Sequence, residues 1–68
     1  MFANWLKEKR LSKGLTQTEL AKEIGVSQVI IAYFETGSRK PGIKLKNKLA
    51  DYFEVSLEEI RNLCKGEK

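Results

Sequence analysis

The 68-residue sequence predicts an all-α domain of five short helices spanning residues 1–68. Two observations carry that expectation. Apolar residues recur three and four apart, the spacing of one helical face. Three helix starts also share one pattern. Thr16, Ser27 and Ser56 are hydroxyl caps, and each is flanked by an apolar pair placed to staple the chain entry: Leu15 and Leu20, Val26 and Ile31, Val55 and Ile60. Thr16 with Glu19, and Ser56 with Glu59, add capping boxes in which a glutamate three residues on reaches back to the cap.

The elements follow in order. The first helix covers about residues 2–13, with Phe2, Trp5 and Leu6 inward, and stops at Gly14. Leu11 lies roughly 180° from Phe2 around this helix, outside its inner stripe. The second covers residues 17–24, with Leu20 and Ile24 on one face and the small Ala21 beside them, where another helix can approach closely. Gly25 ends it, because glycine reaches positive φ without a Cβ clash. The third covers residues 28–36. At about 100° per residue, Ile31 and Phe34 turn inward and Ile30 borders the buried side. Gln28, Val29, Ala32, Tyr33 and Thr36 then share the outer side. A loop through Gly37, Ser38, Arg39 and Lys40 reaches Pro41, which bars a continuous helix. The fourth helix covers residues 43–53, with Leu45, Leu49, Tyr52 and Phe53 along one side, and the fifth residues 57–63. Such short helices are unstable alone, so Leu20, Ile24, Val26, Ile31 and Phe34 must bury one another.

Composition narrows the function. There are 13 Lys and Arg against 9 Asp and Glu, a net charge of +4 that suits a polyanionic partner. The distribution says more. Between residues 36 and 48 stand Arg39, Lys40, Lys44, Lys46 and Lys48 with no acid. Between 49 and 63, Asp51, Glu54, Glu58 and Glu59 oppose Arg61 alone. The basic block directly follows the third helix, and an acidic face turned away would orient an encounter with a polyanion. One cysteine and no histidine exclude an internal disulfide and a Cys/His metal site, so no metal and no cofactor are expected. No base, nucleophile pair or phosphate-binding loop supports an enzyme. The run from Gly37 to Gly42 has P-loop-like glycine spacing but is followed by Ile43-Lys44 and preceded by a helix rather than a strand. No membrane span or leader pattern is read, which predicts a cytoplasmic protein.

Residues 16–36 form two short helices and a tight turn, an arrangement that can lay its second helix in the major groove of DNA. The residue pattern resembles the helix-turn-helix family of phage repressors, Cro proteins and small XRE-type regulators. The resemblance rests on Lys9-Arg10, Gly14-Leu15-Thr16-Gln17, Glu19-Leu20-Ala21, Gly25-Val26-Ser27, Ile31 and Glu35-Thr36-Gly37. It continues through Pro41, Leu49-Ala50, Phe53, Val55-Ser56-Leu57 and Ile60. It implies a compact five-helix lambda-repressor-like fold from a bacterial or phage-encoded regulator. Lys46 departs from it, standing where the family usually has an apolar residue. A snorkelling side chain and a slightly rotated fourth helix would both accommodate it.

Site expectations follow. Gln28 can pair bidentately with adenine, Val29 and Ala32 suit a thymine methyl, and Tyr33 can reach a base or a phosphate. Gln17 resembles the family glutamine that meets the phosphate backbone at a helix start, where anions are favoured. Thr16, Ser27, Arg39, Lys40 and Arg10 complete the expected phosphate contacts. The resemblance also implies an ion pair between Arg10 and Glu35 beneath the third helix. Relatives usually bind palindromic double-stranded DNA as homodimers, and Ile43, Val55, Leu63 and Cys64 are the interface candidates within this domain. The expected function is a sequence-specific transcriptional regulator, a repressor. The alternative is an antitoxin or other interaction module with a protein partner, a toxin or an anti-repressor, whose DNA binding is autoregulatory. An added apolar tail would support that alternative; residues 65–68 are short and polar and do not.

Overall fold

A computed structural model describes residues 2–65. Five helices appear: α1 (Phe2–Ser12), α2 (Gln17–Ile24), α3 (Gln28–Thr36), α4 (Ile43–Phe53) and α5 (Leu57–Lys65), with no strand among the described residues. The tail beyond residue 65 lies outside them.

Local chemistry sets the helix limits. The Thr16 hydroxyl accepts from Glu19 N at 3.1 Å while Thr16 N donates to Glu19 Oε1 at 2.9 Å, a complete capping box. Ser27 Oγ accepts from Ile30 N at 3.4 Å, and Ser56 Oγ from Glu59 N at 3.1 Å. Gly25 closes α2 at φ 86°, and Gly37 closes α3 at φ 82°. Only Gly25, Val26 and Ser27 separate α2 from α3, so the two helices must turn sharply against each other. α4 ends without glycine: Glu54 takes the left-handed conformation, φ 58°, at its C-cap.

The core gathers Phe2 and Leu6 of α1, Leu20, Ala21 and Ile24 of α2, and Ile31 and Phe34 of α3. Leu49, Ala50 and Phe53 of α4 and Ile60 and Cys64 of α5 complete it. α3 packs on both α1 and α2, α4 on α2 and α5, and α5 back on α1. Aromatic rings join α1 to its neighbours: Phe2 meets Phe34 edge-on at 6.1 Å between centroids, and Trp5 meets Phe53 at 5.7 Å. Lys48 Nζ donates to Ile24 O at 3.2 Å, tying α4 to the open carbonyl end of α2.

Three expectations need correction. α1 stops at Ser12, and α5 runs to Lys65 rather than to residue 63. Cys64, expected at a dimer interface, is buried in the core cluster, four residues after Ile60 on the same face of α5. Lys46 is half-buried on an α4 whose limits match the expected ones, so the helix carries the lysine without a shift in its limits.

Candidate nucleic-acid interface

The capped starts of α2 and α3 bring Gln17 and Gln28 together, because each is the first residue of its helix. Gln28 Nε2 donates to Gln17 Oε1 at 2.6 Å, and Gln17 Nε2 donates to Glu35 Oε1 at 3.1 Å. Glu35 in turn receives Arg10: Nε reaches Oε2 at 2.7 Å and Nη2 reaches Oε1 at 3.1 Å. Arg10 Nη1 donates to Leu15 O at 2.8 Å, in the turn before α2. One polar chain therefore runs from the edge of α3, under the helix pair, to α1.

The inner end of this chain is dry. The side chains of Arg10 and Glu35 are 10% and 4% exposed. A two-pronged guanidinium–carboxylate contact suits such a place, since each charge satisfies the other's hydrogen-bonding groups. The hydrogen bonds that Arg10 donates to Glu35 raise the Arg10 pKa above its ordinary value, against the opposing effect of burial. No buried side-chain nitrogen or oxygen among the described residues lacks a partner. Arg10 is thereby used inside the protein, and its burial argues against the phosphate contact also expected of it.

The outer surface of α3 carries the other expected base contacts. Gln28 is exposed, Val29 is 51% and Tyr33 41% exposed, and Ala32 is half-buried between them. An apolar residue as open as Val29, beside an open tyrosine, is a poor choice for plain solvent and a good one for thymine methyl groups. Ile30 is half-buried against the core, as the helical spacing predicts.

The loop after α3 is tied back to it. Tyr33 O accepts from Ser38 N at 2.9 Å, Arg39 N at 3.3 Å and Thr36 Oγ1 at 3.1 Å. This turn lays the Arg39 guanidinium over the Tyr33 ring, 5.4 Å from its centroid. Arg39 and Lys40 are exposed at the C-terminal edge of α3, while Thr16, Gln17 and Ser27 lie at its N-terminal edge. The expected base contacts thus lie between two sets of expected phosphate contacts.

Sequence reasoning did not foresee the Gln17–Gln28 bond, the Glu35–Gln17 bond, the Arg39–Tyr33 stack or the Lys48 tie to Ile24. A signal for the first existed: a glutamine directly follows each of two caps. Of the interface candidates, Ile43 is exposed and Val55 and Leu63 are half-buried. Leu11 is 55% exposed and has no place in either set. No group of three or more His, Cys, Asp or Glu among the described residues could hold a metal. No described helix is long and apolar enough to cross a membrane.

Fold and surface together define a small all-α protein of five helices in which α2 and α3 are joined by a tight turn. The sequence model of the helix-turn-helix family matches residues 6–60, and the chain belongs to that family, a class of DNA-binding transcriptional regulators rather than of enzymes. It is 44% identical over 57 residues to an uncharacterized HTH-type transcriptional regulator of Methanocaldococcus jannaschii, covering 84% of this chain and 86% of that one. It is 30% identical over 60 residues to the cryptic phage CTXphi transcriptional repressor RstR of Vibrio cholerae, covering 88% and 54%. The crystal structure of a transcriptional regulator from Listeria innocua superposes with a TM-score of 0.82 at 32% identity. That match covers 88% of this chain and 56% of the other, so this chain spans about half of the Listeria protein.

Proposed function

We infer that the chain is a sequence-specific repressor that inserts α3 into the major groove and binds a palindromic operator as a homodimer in the cytoplasm. One observation carries this reading: the outer strip of exposed Gln28, Val29 and Tyr33 around half-buried Ala32, with Gln28 already held in place by Gln17. Gln28 reads an adenine, Val29 and Ala32 meet thymine methyls, and Tyr33 touches a base or its phosphate. Thr16, Gln17 and Ser27 hold the backbone on one side of the groove, and Arg39 and Lys40 hold it on the other. Repression draws support from the phage repressor among the relatives.

Size supports the dimer. The domain measures 26 × 24 × 21 Å. Successive major-groove faces on one side of DNA lie about 34 Å apart, so one chain reaches one half-site and a second copy must read the other. Ile43, Val55 and Leu63 are the surface residues proposed for the contact between copies.

The test is an unbiased DNA selection at about 0.15 M salt, near physiological ionic strength, followed by anisotropy titration of the enriched sequence. A palindrome bound far more tightly than random DNA is expected. Enrichment of no sequence would overturn the reading.

A further inference from the structure

A carboxylate has no hydrogen to give, so it imposes a direction on any amide beside it. Glu35 Oε1 accepts from Arg10 Nη2 and from Gln17 Nε2, both at 3.1 Å. Gln17 must therefore turn its NH2 group toward Glu35 and its carbonyl oxygen away. That oxygen accepts from Gln28 Nε2 at 2.6 Å. The direction is passed on. Gln28 gives one N–H to Gln17 and keeps one N–H and its Oε1 for a partner outside the protein.

The geometry points to Glu35 as the residue that sets which base Gln28 reads. One donor and one acceptor match adenine, which offers the N7 acceptor and the N6 donor in the major groove. Guanine offers two acceptors, N7 and O6, and one of them would face the Gln28 oxygen. Glu35 never touches DNA; its side chain is 4% exposed. It is a positioning residue acting through Gln17, with a role in specificity separate from its ion pair with Arg10. This inference rests on α3 being the recognition helix.

A purely structural Glu35 would affect melting and overall affinity but not the choice of base. The test reads that choice. The enriched operator is changed from A·T to G·C at the single pair that Gln28→Ala relaxes, and both duplexes are titrated with each variant. The wild-type protein is expected to prefer adenine about tenfold or more, the discrimination of one good bidentate pair. Gln17→Lys reverses the relay, because an ammonium group only donates. It serves the Glu35 carboxylate and the Gln28 oxygen together, and turns both N–H groups of Gln28 toward the groove. Its expected preference is for guanine. Gln17→Met removes the link, and Glu35→Gln allows the amide beside Gln17 to donate as well as accept. In both, the adenine preference should fall severalfold toward parity, whatever happens to total affinity.

Melting curves identify which variants fold, and Gln17→Met leaves the ion pair intact if Glu35→Gln does not fold. An adenine preference undiminished in the folded variants overturns the inference while leaving the recognition helix in place. So does a wild-type preference for another base at that pair. A wild-type protein that selects no sequence at all removes the recognition-helix reading, and the inference falls with it.

Discussion

Gln28, the first residue of α3, donates a 2.6 Å hydrogen bond to Gln17, the first residue of α2. The bond spans eleven positions in the chain and joins an expected base contact to an expected phosphate contact. A glutamine free on a surface would give up side-chain entropy on meeting a base; this one is already partly ordered. Gln28→Ala should therefore cost about 1–3 kcal/mol on the best operator and relax selectivity at one base pair. Titration of singly substituted operators reads both effects. A variant with the wild-type profile at every position would remove Gln28 from the base contacts.

Glu35 ties α3 to α1 through its ion pair with Arg10. Glu35→Ala strands the Arg10 guanidinium beneath α3, and loss of one partner of a buried pair costs about 3–5 kcal/mol. A domain of this size has little stability to spare, so a large drop in melting temperature is expected. Thermal unfolding followed by circular dichroism measures it, and an unchanged midpoint would falsify the structural role of the pair. Its pH dependence has a definite sign. Because Glu35 raises the Arg10 pKa, the arginine's share of stability is complete below the ordinary arginine value and is lost only above it. No loss from Arg10 is expected as pH rises from neutral to mildly alkaline.

Glu54 offers the opposite effect. Its φ of 58° places a side-chain-bearing residue in the left-handed region, where α2 and α3 use glycine. Relief of that conformation gains about 1–2 kcal/mol, against about 0.4–1 kcal/mol for the freer unfolded chain that glycine brings. Glu54→Gly should thus raise the melting temperature by a few degrees with the fold unchanged. A lower midpoint would mean that the Glu54 side chain does more for the fold than its conformation costs.

The limits of α2, α3 and α4 could be read from the sequence because their signals are local. Thr16, Gly25 and Ser27 act within a few residues of themselves, and Pro41 excludes helix where the loop lies. Cys64 was misread because its burial depends on α5 continuing past residue 63, where no glycine or proline marks a stop. Its place four residues after Ile60 was the available sign. The Arg10–Glu35 pair came from family resemblance, since 25 positions separate the two residues. The glutamine relay needed the crossing of α2 and α3, a property of packing that hydrophobic spacing does not specify. On the outer strip of α3 the position of each residue was legible, because the buried Ile31 and Phe34 fix the rotation of the helix.

Arg39 separates charge from stacking. The guanidinium lies over the Tyr33 ring, 5.4 Å from its centroid, and the turn whose Ser38 and Arg39 N–H groups donate to Tyr33 O holds it there. If it meets a phosphate, Arg39→Ala should weaken binding to all sequences alike and lower the dependence of log K on log salt by about one. Arg39→Lys keeps the charge but loses the flat face that packs on the ring. Its salt dependence should therefore match the wild type while Tyr33 becomes less constrained. If Tyr33 touches a base, selectivity at that base pair falls in Arg39→Lys with the salt slope intact. If Tyr33 touches only phosphate, affinity falls evenly across sequences. Salt titrations of the two variants on the enriched operator and on single-pair variants of it distinguish these outcomes. A sequence-selective loss in Arg39→Ala that exceeds the loss in Tyr33→Phe would instead place Arg39 itself on a base edge.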